Sequence, residues 1–200
     1  MDENYSLRVR RVYAAIDALD EFDMSLLKAQ VTEIENRVAI YQDFTGGLTQ
    51  AQLENLVQSA IYNVAHLRDP LKAFATLTGR REVDVRDTLQ ASEALRVVVD
   101  LANLDKHHEP KFGHSGRSPR LANINRVLRL VAEPGKGVGL TLNRDGTPRI
   151  VGGGSAKAVI VADVLDASGA KMGGLGDFLD AAVTAWESLL EGWGVVVMPG

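Results

Sequence analysis

Between Asn4 and Phe44 the apolar residues Val9, Val12, Ile16 and Leu19, then Leu27, Val31, Ile34, Val38 and Tyr41, recur mostly every three or four positions. That spacing predicts one very long helix or two in series. The acidic stretch Asp20-Glu21-Phe22-Asp23 is the expected break, because Asp23 can cap a restart, and Gly46-Gly47 ends the element. A second helix opens with clearer punctuation. Thr49 is its N-cap, Gln52 the capping-box partner, and Leu48 against Leu53 a hydrophobic staple.

The apolar face of this second helix runs Leu53, Leu56, Val57, Ala60, Ile61, Val64, Leu67, Leu71 and Phe74, so one stripe crosses Pro70 on its way to Gly79. Proline has no amide hydrogen, and its ring opposes the carbonyl one turn back. A kink or restart is therefore expected between His66 and Leu71, and a restart would use Asp69 as N-cap and Pro70 as first helical residue. The third helix is expected from Asp84 through Leu89, Leu95, Val98 and Ala102 to His107. Val97-Val98-Val99 leaves it little polar face, so it should be central, and Pro110 ends it.

Glycine, serine and proline make residues 111–123 a loop. Beyond it, 127–131, 138–142, 148–151 and 158–164 are β-prone runs separated by the turn signals 143–146 and 166–169, which predicts an antiparallel meander. Pro148 should start a strand or lie at an edge, and Gly152-Gly153-Gly154 should tolerate positive φ. Helical spacing returns from Leu175 to Leu190, with Gly192 as the stop, and Trp186 and Trp193 are expected to pack. The fold class is α+β, read as one domain over 1–200: a bundle of long helices (1–110), a basic loop (111–123), a β-meander (124–173) and a closing helix (174–192).

Composition narrows the chemistry. Cysteine is absent, which excludes disulfides, thiolate zinc sites and cysteine nucleophiles and fits a reducing, cytoplasmic setting. No apolar run approaches the ~20 residues that span a bilayer, so no membrane association is expected. The net charge of −4 hides an asymmetry: residues 1–60 carry five Lys and Arg against ten Asp and Glu, whereas 103–150 carry nine against four. Six bases, Lys106, Lys111, Arg117, Arg120, Arg126 and Arg129, fall between positions 106 and 129 with the single carboxylate Glu109. Such a segment is a candidate phosphate contact.

Familiar catalytic signatures are missing: there is no P-loop lysine motif, no G-x-S-x-G and no H-E-x-x-H. His107 and His108 are adjacent and diverge on a helix, so no metal and no cofactor are expected. Two polar groupings stand out within apolar surroundings. His66, Arg68 and Asp69 gather at the proline, while Asp100, Asn103 and His107 share one helix face. Asp105, Lys106, His108, His114, Arg117 and Arg120 complete the candidate set. Asp100 and Asn103 should be partly buried and bonded to groups freed at the kink. A purely structural use of the same residues pairs Arg68 with Asp100 and sets Lys106, His107 and His108 against the last helical carbonyls.

The runs Val-Ala-His-Leu-Arg-Asp (64–69), Asp-Leu-Ala-Asn-Leu-Asp-Lys-His (100–107) and Ala-Val-Thr-Ala-Trp-Glu-Ser-Leu-Leu (182–190), together with the meander, resemble bacterial and phage proteins, and the helical part resembles the HEPN superfamily. In HEPN ribonucleases an Arg followed by a polar residue precedes a catalytic His, and Arg68-Asp69 matches the first half. Positions 72, 73 and 74 are Lys, Ala and Phe, so the expected His is missing. The resemblance therefore implies either a metal-independent ribonuclease whose composite site uses Arg68, Asp69 and His107, or a non-enzymatic binding or regulatory domain. The second is the primary reading: weak contact with RNA or another polyanion through 106–129, with room for a homo-oligomer.

Overall fold

A computed structural model describes residues 3–20, 29–34, 37–104, 113–143 and 147–195. The chain is α+β, with helices, antiparallel strands and a C-terminal helix. Contacts divide it into two compact units, one of residues 1–19, 54–124 and 161–200, the other of 20–53 and 125–160.

The first unit is mainly helical. It holds α1 (Glu3–Asp20), most of α2 (Gln50–His66), then α3 (Arg68–Leu77), α4 (Glu82–Ala91), α5 (Glu93–Leu104) and α6 (Leu175–Gly192). Its core is the expected stripes made solid: Val57, Ile61, Val64, Leu71, Leu95, Val97, Val98, Leu179, Trp186 and Leu190 are all fully buried. Helix α5 packs against α6, and α4 touches α3, α5 and α6, so the apolar third helix is central as its composition demands.

The stripe across Pro70 does break, two residues earlier than capping logic places it. Leu67 forms the turn between α2 and α3, and Pro70 lies in the first turn of α3, where an amide hydrogen is dispensable. Asp69 is therefore not the N-cap, and Pro70 is not the first helical residue. The N-cap is Leu67, which is itself near-helical (φ −63°, ψ −21°) and offers no side-chain cap, and Arg68 is the first helical residue. The Val64 carbonyl at the break accepts from the Leu67 amide and from the indole Nε1 of Trp186 at 3.2 Å. Helix α3 ends in a Schellman motif. Gly79 is left-handed (φ 69°), its amide donates to Thr76 O, and that of Arg80 donates to Ala75 O at 2.8 Å. Gly194 ends α6 the same way, with Val195 N donating to Leu190 O.

The expected third helix is two. It starts at Glu82 rather than Asp84 and is interrupted at Ser92, whose extended backbone (φ −89°, ψ 115°) lets its hydroxyl accept from Leu95 N and cap α5.

The second unit overturns the longest expectation. Among the described residues of 4–44 only α1 is helical; Ala29–Ile34 (β1) and Arg37–Gln42 (β2) form an antiparallel hairpin, with Val31 opposite Ile40. Val31, Thr32, Ile34, Val38 and Ile40 are β-branched, which favours the pleated strand over a helix of the same apolar spacing. The Thr49 and Gln52 capping box forms as expected: Thr49 N donates to Gln52 Oε1 at 2.8 Å and Gln52 N to Thr49 Oγ1 at 3.3 Å.

The β-region is not a simple meander. Strand β3 (Arg120–Ala132) pairs with β6 (Gly154–Leu165), which also pairs with β7 (Lys171–Gly174). The hairpin of β4 (Val138–Leu142) and β5 (Pro148–Gly152) intervenes in sequence. Pro148 starts its strand as expected. The glycine triple is needed for close approach as well as for φ: at Gly154 a Cβ would come 2.2 Å from the Val131 carbonyl, and Gly152 has φ 89°.

Candidate functional site

The most constrained polar cluster lies in the first unit, where α5 meets the loop 113–119. Asp100 is 2% exposed and flanked by the buried Val97, Val98, Val99, Leu101 and Ala102. A carboxylate in such a place is costly unless hydrogen-bonded. Its partners come from the loop. Oδ1 accepts from the His114 amide at 2.6 Å, and Oδ2 accepts from the Ser115 amide at 2.7 Å and the Ser115 hydroxyl at 2.6 Å. The Ser115 oxygen accepts in turn from Arg117 N at 3.2 Å.

Gly113 makes this approach possible, since a Cβ there would sit 2.9 Å from Asp100 Oδ2. The far side of the loop is tied to the β6–β7 turn, where Ala167 N donates to the Arg117 carbonyl at 3.0 Å. Between these anchors Ser118 holds a left-handed φ of 46°, unfavourable for a non-glycine residue.

The loop's bases point elsewhere. His114, Arg117 and Arg120 are exposed. Arg117 Nη2 lies 3.4 Å from Glu93 Oε1, an ion pair whose side chains are both about half exposed (55% and 54%). Such a pair contributes only about 0.2–1 kcal/mol and is readily exchanged for another anion. Arg120 opens β3 and reaches the turn at Gly169, where an added Cβ would be 3.1 Å from its Nη2. That turn is held by Asp166, which accepts from Ser168 and Ala170. These bonds, led by the Ser168 hydroxyl, lower the Asp166 pKa from its ordinary value.

Several expectations need correction. Asp100 is buried as foreseen, but it serves the 113–117 loop and not the kink. Arg68 does not pair with Asp100: its Nε meets the neighbouring Asp69 at 3.2 Å, on the exposed start of α3. Asn103 is half-buried in the last turn of α5. His66 is exposed at the end of α2, its ring stacked on Tyr62 with centroids 5.6 Å apart and planes 9° from parallel.

Nor is 111–123 a loop to its end, because β3 begins at Arg120 and carries the later bases of the 106–129 segment. Arg126, in the second unit, is 9% exposed and donates from Nη1 to the Thr45 carbonyl at 3.0 Å, and desolvation lowers its pKa. It is removed from any contact surface. Arg129 is exposed on β3 in that second unit. Asp105, Lys106, His107, His108 and Lys111 lie outside the described residues, so the composite Arg68 and His107 site has no described geometry.

Sequence reading missed Gly113, Ser115, Ser92 and Glu93. The signal was Gly-His-Ser-Gly following a helix that carries a lone Asp in its apolar middle: a buried carboxylate needs donors, and a Gly-flanked Ser with free amides supplies them. Among the described residues no group of three or more His, Asp or Glu is placed to hold a metal ion, and no helix is long and apolar enough to cross a membrane. Compared with known protein families, with curated proteins and with solved structures, the chain matches none.

Proposed function

We propose that this chain is a non-enzymatic binding domain that contacts the phosphates of RNA or a similar polyanion through the anchored loop 113–120. One observation carries the reading: a buried Asp100 fixes the loop backbone while Arg117 and Arg120 are left exposed. Anchoring lowers the ordering cost of binding, and an arginine fork matches phosphate oxygens. Sequence preference is not expected, since the loop offers phosphate donors and no Phe, Tyr or Trp within 113–120 for stacking. The overall charge of −4 keeps binding weak.

The test is incubation of the purified chain with mixed RNA, with and without chelator, read both for retardation and for cleavage. Intact, retarded RNA is the expected result. Cleavage that persists in chelator would replace this reading with the metal-independent ribonuclease implied by Arg68, Asp69 and His107.

A further inference from the structure

The break between α2 and α3 opens a cleft of about 220 Å³ in the first unit, lined by Arg8 of α1 and by Tyr62, Asn63, His66, Leu67 and Pro70. The Leu67 turn and the Pro70 ring interrupt the helix here, so the cleft follows directly from the sequence feature that breaks the stripe. Its base is apolar, with Leu67 buried and Pro70 half-buried. Among the described lining residues the polar groups are cationic or neutral. Arg8 and His66 are exposed, the Asn63 amide is oriented by donation from Nδ2 to the Ser59 carbonyl at 2.8 Å, and no carboxylate is among the described residues of the lining. In a chain with 26 acidic residues, a described lining that holds Arg8 and none of them favours a negatively charged guest.

The near-parallel Tyr62 and His66 rings add an aromatic surface to a lining that also includes Arg8. An arginine that shares a cleft with aromatic rings is suited to a guest that joins an anion to a planar group. At about 220 Å³ the cleft falls below the ~300–1,000 Å³ usual for drug-sized ligands. The guest is accordingly small. We infer that this cleft binds a small phosphate monoester, with its phosphate on Arg8 and any ring it carries against Tyr62 and His66. The site is separate from the 113–120 loop and does not depend on polyanion binding there.

Titration of the ¹⁵N-labelled full chain with inorganic phosphate, glycerol phosphate, phenyl phosphate and uncharged benzyl alcohol tests the assignment. Saturable shifts at Tyr62, Asn63, His66 and Leu67 are expected with the three phosphates, tightest for phenyl phosphate, and none with benzyl alcohol. Arg8→Ala should weaken every phosphate by about tenfold. His66→Ala should remove the preference for phenyl over glycerol phosphate. Both positions are exposed, and circular dichroism checks that the variants fold. The inference fails if no phosphate saturates, if both variants bind as the parent does, or if the shifts fall at 113–120 instead. Loss of RNA binding in loop variants with phenyl phosphate binding intact would leave this site standing alone.

Discussion

Replacing Asp100 by Ala should loosen the loop 113–117 more than any other single change in the cluster. The carboxylate accepts three hydrogen bonds, from the His114 amide, the Ser115 amide and the Ser115 hydroxyl, all at 2.6–2.7 Å. A hydrogen bond to a charged group contributes about 1.5–3 kcal/mol net, but the released donors sit on a partly exposed loop and can recover water. The combined loss should therefore be about 3 kcal/mol, well short of the simple sum. Asp100→Asn keeps one acceptor and turns an NH₂ toward existing donors, for a loss of about 2 kcal/mol, and Ser115→Ala removes only the hydroxyl bond, for about 1 kcal/mol. Urea unfolding of the three variants gives the ranking, and hydrogen exchange at the His114 and Ser115 amides shows whether the loop opens locally first. An Asp100→Ala variant within about 0.5 kcal/mol of the parent, with both amides equally protected, would refute the role assigned to this carboxylate.

Gly113→Ala should cost about 1–2 kcal/mol in the same urea assay, because its Cβ would come 2.9 Å from Oδ2 of a carboxylate that three donors hold in place; an unchanged midpoint would show that the loop can shift. Trp186→Phe loses the bond from Nε1 to the Val64 carbonyl and part of a fully buried ring, and should cost about 2–3 kcal/mol. Calorimetry of that variant is the check. The Asp163 pKa is lowered, chiefly by the hydrogen bond from Asn123 Nδ2 at 2.8 Å and also by Lys171 at 2.6 Å. Its stabilising contribution is thus present above the unfolded carboxylate pKa of about 3.9 and is lost as pH falls through the lower folded value. Asn123→Ala should raise the Asp163 midpoint in an NMR titration, and an unmoved midpoint would sink the assignment.

Much of the helical architecture was legible because it depends on local chemistry. The capping box at Thr49 and Gln52, the break near Pro70, the central position of 93–104 and the closing helix each follow from residues adjacent in sequence. The hairpin β1–β2 was not legible, because apolar spacings of three and four occur by chance in two short alternating strands and only β-branching distinguished them. The split at Ser92 was hidden because buried apolar positions, Val85 and Leu89 before it and Leu95 and Val98 after it, continue on both sides. The candidate site was half visible: Asp100, His114, Arg117 and Arg120 were singled out, but their connection was not. Asp100 and Ser115 are joined across a loop whose path no periodicity reports, and the polar kink was the nearer claimant for a buried carboxylate. Arg126 shows the converse error. Charge counted along the chain placed it on a basic surface, whereas burial against Thr45 takes it away.

The account is tested most directly by the salt dependence of RNA binding in the parent and in an Arg117→Ala, Arg120→Ala double variant. Two phosphate contacts on a single strand give a slope of log affinity against log salt of about −1.4, or about sevenfold weaker binding between about 50 and 200 mM salt. The parent should show at least that slope, and the double variant should bind more weakly with a slope shallower by about 1.4. Equal affinity and equal slope in the two proteins would contradict the claim that the Asp100-anchored loop is the contact surface.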